Sequence, residues 1–321
     1  MIDSLKLFLK TLRKVYLTIH PLPGYNSLPC LDDPDSVSEL IQEYLNTNQP
    51  LMLARFGSTE LSCITNYISI KYYKNHFFDY VSGRISPWWW DLGVVNQMQK
   101  WSGFFPPTIK NIEKFCEFML NDIREVDILG SWLLDERILE NDLHKSKKIH
   151  FELINPYFSS IPWTRALEGK RVLVVHPFAS TIESQYKNRE LIFNNNLLPE
   201  FHLMTLKAVQ SLAGNETIFF DWFEALDYMK SEIDKHEYDF CLIGCGAYGF
   251  PLAAHVKRMG KKAIHMGGAL QLLFGIRGKR WENQNYNEIF NYSQLMNEHW
   301  IKPSEEEKPK VADMVEGACY W

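Results

Sequence analysis

Three short segments carry residue types that can do chemistry together. In Leu51-Met-Leu-Ala-Arg55-Phe-Gly57-Ser58-Thr59-Glu60 an arginine, a hydroxyl and a carboxylate follow a short apolar run. A guanidinium donates in a planar fork, so Arg55 suits a phosphate, or Glu60 itself, as partner. Glu60 suits metal contact or general-base work. The plainer role for Glu60 is a first-turn carboxylate facing the positive end of a helix. In His176-Pro-Phe-Ala-Ser180-Thr-Ile-Glu183-Ser-Gln185, His176 stands where a strand ends, a position suited to ligand contact. Ser180 and Glu183 in the same segment have the spacing of a helix capping box.

The third segment is Gly244-Cys-Gly246-Ala247-Tyr248-Gly249. It matches the letters of the dinucleotide fingerprint, with a strand expected before it and a helix after it. Glycines there allow close backbone approach, and free N–H groups at the start of the following helix favour an anion. An NAD site also needs an acidic residue near the end of the next strand. That strand ends in Ile264-His265-Met266-Gly267-Gly268, without a carboxylate, and the motif comes late in the strand–helix series. NAD binding, phosphate or diphosphate binding, and a close helix–strand packing turn all stay open as readings of the turn. Lys207 follows another expected strand and can meet a diphosphate. Lys261, Lys262, Arg277, Lys279 and Arg280 form a basic group that is either a solvated face or a phosphate-attracting rim.

These residues need elements to position them. From Gly169 the pattern is regular: strands over 171–175, 201–206, 239–243 and 262–265 alternate with helices over 180–193, 222–236 and 247–259. Such alternation predicts βαβ units and a parallel sheet. Right-handed crossovers place the strand C-termini along one edge, so His176, Lys207, Gly244 and His265 to Gly268 are expected to line one crevice. Upstream, a helix capped by Asp35 or Ser36 is expected to run to about Asn46. A strand over 51–57, a helix over 61–68, a helix from Pro106-Pro107 to about Arg124 and a strand over 126–131 follow. Residues 283–300 read as helical, and Ser304 to Lys310 as a charged, solvated connector. The fold class is α/β, a Rossmann-like, mostly parallel sheet with helices on both faces and an N-terminal helical extension. The boundaries are 1–34 for an amphipathic helix and linker, 35–281 for the main domain and 282–321 for a tail.

The 321 residues carry a formal net charge of -5, which argues against nucleic acid as a partner, since that needs a broad basic face. Aromatics make up 14%, with 10 Trp, a surplus that suits cores and also sites that stack flat ligands. The six cysteines include no Cys-x-x-Cys pair, and they read as free thiols of a reducing cytosol. No run is long and apolar enough to span a membrane, and no signal peptide is legible. The first residues mix Lys6, Lys10, Arg13 and Lys14 with Leu5, Phe8, Leu9, Leu12 and Val15. That is a basic amphipathic helix, packed on its own domain or a partner subunit, or resting on an anionic membrane surface. No Gly-x-Ser-x-Gly elbow, His-Glu-x-x-His pair or Walker lysine is present.

The segment Leu53-Ala-Arg55-Phe-Gly57-Ser58-Thr-Glu60-Leu61 resembles the Arg-Phe-Gly-Asp-Gly-Glu-Leu element of the bacterial GT-D-fold glycosyltransferases, once a domain of unknown function. Gly169 to His176 resembles that family's central strand, and Ile243 to Ala254 with Lys262 to Gly268 resembles its late helix and final strand. Together these blocks span about Leu51 to Arg280. The resemblance implies a cytoplasmic enzyme, of GT-D type, that transfers a sugar from a nucleotide-diphosphate donor to a glycan or lipid-linked glycan in surface polysaccharide biosynthesis. Arg55, Gly57, Ser58, Lys207, Gly244, Gly246, Ala247, Tyr248, His265, Gly267 and Gly268 would then hold the donor. Glu60, His176 and Glu183 would be catalytic, and Gln185 would meet the sugar or the acceptor. The family's Asp-x-Glu element is associated with Mn²⁺ or Mg²⁺; here Glu60 matches its Glu, but Ser58 replaces its Asp, and a hydroxyl is a weaker cation ligand than a carboxylate. The alternatives are another nucleotide-using transferase, such as a methyltransferase, or a non-catalytic nucleotide-sugar or glycan-binding subunit.

Overall fold

The computed structural model describes residues 2–22, 29–193, 196–287, 289–309, 312 and 318–321. Seven short strands form one sheet: β1 (Leu51–Ala54), β2 (Ile128–Ser131), β3 (Lys147–His150), β4 (Arg171–His176), β5 (His202–Lys207), β6 (Phe240–Ile243) and β7 (Lys262–His265). The order is β3-β2-β1-β7-β6-β4-β5, and every pairing is parallel. The central strands β1, β2, β4, β6 and β7 are buried on both faces, which is why they are apolar runs rather than alternating ones, while the edge strands β3 and β5 are only partly buried. Leu173, Val175, Cys241, Ile243 and Ala263 pack into one core, and Val172, Val174, Leu242 and Ile264 into the other.

The helices that precede β7 are α1 (Ile2–Ile19), α2 (Pro34–Asn46), α3 (Ser58–Tyr72), α4 (Phe77–Val81), α5 (Leu92–Lys100), α6 (Ile109–Asp122), α7 (Ala179–Tyr186), α8 (Arg189–Ile192), α9 (Trp222–Asp234) and α10 (Gly249–Arg258). α3, α6, α9 and α10 supply the first core, and α2 and α7 the second. Parallel strands need such crossovers, and the resulting layers put all strand C-termini on one edge.

Several local expectations need correction. The cap of α2 is Asp33, which accepts from Ser36 N at 2.8 Å, with Pro34 in the first turn. The helix expected over 180–193 breaks into α7 and α8. Residues 283–287 and 289–300 form loops with one short 3₁₀ turn, Tyr292–Leu295, and not the helix expected over 283–300. Their anchors are Asn155, Glu152 and Tyr292, whose polar side chains bond one another across the chain. The described part of the connector, 304–309, is not fully solvated either. Glu307 is buried, and its carboxylate accepts from Ser180 N at 2.8 Å and Thr181 N at 3.2 Å. A distant carboxylate therefore caps α7, in place of the expected Ser180–Glu183 box. Residues 23–28 of the linker expected before residue 34 lie outside the described residues.

α1 packs on its own chain. Leu9 is buried against Tyr80, Val81 and Ile85, and the Arg13 guanidinium donates to Tyr80 O and Ile85 O, both at 2.7 Å. Its other side leaves Phe8 59% and Ile19 67% exposed, beside Leu5 and Val15. No described helix is long and apolar enough to cross a membrane. All six cysteines are free.

Candidate functional site

A cavity of about 380 Å³ opens at the C-terminal ends of β1, β2, β4, β6 and β7. That size is ordinary for a small-molecule site, and the place is where open parallel sheets bind ligands. Of the residues that the sequence singled out, Arg55, Gly57, Ser58, Glu60, His176, Gly244, Gly246, Tyr248, His265, Gly267 and Gly268 line it.

Arg55 leaves the end of β1, and its guanidinium donates to Phe56 O at 3.2 Å. It lies flat against Gly267, where a Cβ would fall 2.2 Å from Nη2. Gly267 also has φ +69°, so two independent requirements select glycine there. Glu60 sits in the first turn of α3. The N-cap of that helix is Gly57, which has no side chain to cap it. The Glu60 carboxylate fills the gap, folding over Gly57 so that a Cβ there would meet Oε2 at 1.9 Å. Burial pushes the Glu60 carboxyl above its usual range, against the opposing pull of its own amide, the Ser102 hydroxyl and Arg55. A carboxyl poised in this way can accept a proton, so the helix-terminus role and the chemical role coexist.

Two histidines close β4 and β7. His176 Nδ1 accepts from Phe178 N at 3.0 Å, and His265 Nδ1 lies 3.3 Å from Ile243 O. Burial lowers each to about 3, assisted for His265 by the Arg55 charge, so both rings are neutral.

The glycine turn has a different logic from a phosphate cradle. Gly249 is glycine because the His265 ring packs on it, with a Cβ falling 2.2 Å from Cε1; Gly244 is glycine because Gly267 O would lie 2.5 Å from a Cβ. At Gly246 a Cβ would make only ordinary contact, 3.5 Å from Ser102 O, and it is the left-handed φ of +57° that favours glycine there. Tyr248 is fixed by its hydroxyl, 2.9 Å from Ser211 Oγ, and by stacking on Trp222 at 5.1 Å.

Four expected site residues fall outside. Lys207 ends β5, which is the edge strand, and its side chain is exposed beyond the cavity wall. Glu183 is exposed on the outer side of α7 and accepts from the Thr205 hydroxyl. Gln185 is buried and holds the C-terminal segment, donating to Gly275 O at 3.2 Å and His299 O at 3.0 Å. Ala247 is packed into the core and does not line the cavity.

The sequence reading missed Trp132, Ser102, Tyr286, Tyr320 and Trp321, which also line the cavity. Gly268 is glycine because Tyr320 lies against it, 2.2 Å from where a Cβ would stand. Arg280, assigned before only to a basic group, reaches the wall with its guanidinium 4.8 Å over the Tyr320 ring. The aromatic Tyr320-Trp321 end after a charged stretch was the available signal.

Among the cavity-lining residues the cations are Arg55 and Arg280, and Glu60 is the single carboxylate. These residues do not fit a divalent cation. Glu60 is shared with an amide and a hydroxyl, Ser58 stands where a second carboxylate would, and no group of three or more His, Cys, Asp or Glu among the described residues could hold a metal.

No curated protein matches this chain. Two solved structures are similar. One is described as a selenomethionine-substituted structure of domain of unknown function 1792, at 15% identity, covering 93% of this chain and 96% of that one, with a TM-score of 0.42. The other is described as showing that the highly conserved domain of unknown function 1792 has a distinct glycosyltransferase fold, at 14% identity, covering 86% and 92%, with a TM-score of 0.41. The GT-D-like family, described as a GT-D fold-like domain, matches residues 33–273. That match runs from the cap of α2 past the end of β7, over well more than half of the chain, and the protein belongs to the GT-D-like family.

Proposed function

We propose that this protein is a glycosyltransferase that moves a sugar from a nucleotide-diphosphate donor to a glycan acceptor in surface polysaccharide biosynthesis. The observation that carries the reading is one cavity holding a guanidinium clamped on Gly267 and a single proton-accepting carboxylate, Glu60. The bond from the sugar's anomeric carbon to the diphosphate breaks, and a bond to the acceptor oxygen forms. The acceptor's proton passes to Glu60. The diphosphate leaves with its charge met by Arg55, whose fork geometry matches phosphate oxygens. With Ser58 in place of a carboxylate, the transfer needs no Mn²⁺ or Mg²⁺. The aromatic wall of Trp132, Tyr286 and Tyr320 supplies flat surfaces for a base or a sugar ring. A thermal-shift panel of UDP-, GDP- and CMP-sugars against S-adenosylmethionine tests the reading. Stabilisation by a UDP- or GDP-sugar supports it, stabilisation by a CMP-sugar alone contradicts the diphosphate donor, and stabilisation by S-adenosylmethionine alone moves the protein to the methyltransferases.

We also propose that the protein works at the cytoplasmic face of the membrane on a lipid-linked acceptor, held there by α1. The support is the exposed apolar side of α1 formed by Leu5, Phe8, Val15 and Ile19. Sedimentation with phosphatidylglycerol vesicles checks this: Phe8→Ser with Ile19→Ser should abolish binding that the unaltered chain shows, and absence of binding by the unaltered chain ends the idea.

A further inference from the structure

The two cavity histidines differ in which nitrogen the fold has already used. A backbone N–H can only donate, so Nδ1 of His176, bonded to Phe178 N, carries the lone pair. The proton of that neutral ring then sits on Nε2. A carbonyl can only accept, so Nδ1 of His265, facing Ile243 O, carries the proton, and Nε2 keeps the lone pair. Neither Nε2 has a hydrogen-bond partner among the described residues, and neither is sealed away from the cavity that both rings line. Each ring is nearly buried, so Nε2 is the polar atom that each has left to offer.

Register fixes where the two rings approach. His265 pairs with Ile243 of β6, and His176 lies one residue beyond Val175, the partner of Ile243 on the other side. Side chains alternate along strands, so the rings straddle the end of β6 from opposite faces of the sheet. Gly244 and Gly249 make room for them: a Cβ would fall 2.8 Å from His176 Cδ2 at the first and 2.4 Å from His265 Nδ1 at the second.

We propose that His176 and His265 form a donor–acceptor pair of fixed polarity that reads the oxygen-rich part of the ligand, with His176 Nε2–H donating to a ligand oxygen and His265 Nε2 accepting from a sugar hydroxyl. The proposal rests on the nucleotide-sugar reading and deepens it. It makes His176 a binding group rather than a base, because its lone pair is spent on Phe178. It also explains two of the fingerprint glycines as room for the pair. A ligand that lacks the hydroxyl leaves the His265 lone pair unmatched in a buried site, which is how polar sites reject deoxy analogues.

The test is long-range ¹H–¹⁵N NMR on the full chain labelled at histidine, followed by calorimetry with UDP-glucose and GDP-mannose, each beside its nucleoside diphosphate. The expected spectrum has a protonated Nε2 for His176 and an unprotonated Nε2 for His265. His265→Leu should weaken the nucleotide sugar that binds by about 3- to 10-fold, the worth of one neutral hydrogen bond, and leave its nucleoside diphosphate unchanged. His265→Gln, whose carboxamide oxygen still accepts, should restore binding. Reversed tautomers with a nucleotide sugar bound overturn the pair and spare the functional reading, as does an equal loss for sugar and diphosphate. If none of the four compounds binds the unaltered chain, the reading falls and the pair with it.

Discussion

The Arg55 guanidinium rests on the Cα of Gly267, with Nη2 2.2 Å from where a Cβ would stand. The end of β1 and the turn after β7 are thus locked together by the absence of one methyl group. Gly267→Ala should push Arg55 off its perch and weaken nucleoside diphosphate binding by about 10- to 100-fold, the scale of a charge-assisted hydrogen bond. Gly260→Ala is the control. Gly260 has φ +77° but nothing within 4 Å of a Cβ, so it carries a similar backbone cost of ~1–2 kcal/mol without the clash. Calorimetry on both variants decides: equal loss in the two would mean that backbone strain, not Arg55, sets affinity.

Acid should expose the buried His176. Its ordinary value is 6.5 and its folded value about 3, because burial disfavours the charged ring. The unfolded chain therefore binds a proton that the folded chain refuses. Stability from this group is present above pH 6.5 and is lost as pH falls toward 3, at about 1.4 kcal/mol per pH unit. Glu60, Glu136, Glu152 and Asp122 act in the opposite direction, since burial raises them. Subtracting a His176→Asn variant removes that background. In urea melts at pH 4.5, 5.5 and 6.5 the unaltered protein should lose ground to the variant by about 1.4 kcal/mol per pH unit; a constant difference would show that His176 titrates freely in the fold.

Turnover should survive chelation. Among the described residues Glu60 is the only side-chain carboxylate on the cavity wall, and Ser58 supplies a hydroxyl. EDTA should leave the rate of the unaltered protein within about twofold, whereas Ser58→Asp should create measurable Mn²⁺ affinity by adding a second hard ligand. A collapse of the unaltered rate with EDTA, restored by Mn²⁺, would return the metal to the mechanism.

The parallel sheet and most strand ends were legible because buried parallel strands are unbroken apolar runs. Arg55, Glu60, His176 and the glycine turn were legible because they sit directly at those ends. Strand order was not, since it arises from pairing between distant segments. Lys207 looked equivalent to His176 until β5 proved to be the edge. The reason for Gly249 was hidden for the same cause: the ring that needs the space is His265, on another strand. Glu307 looked like one acid in a charged run, although it caps a helix more than a hundred residues earlier in the chain. Tyr320 and Trp321 line a cavity built mainly from residues far away in the chain, a long-range relation that no local periodicity records.

The central claim is that this cavity transfers a sugar with Glu60 taking the proton. Mass spectrometry of nucleoside diphosphate release and of the glycosylated acceptor, using whichever nucleotide sugar stabilises the protein, tests it most directly. The account predicts turnover by the unaltered chain and a drop of about 10²- to 10⁴-fold in Glu60→Gln, with donor affinity and melting temperature retained. Near-normal turnover by Glu60→Gln, or donor binding by the unaltered chain with no transfer to any glycan, would contradict it.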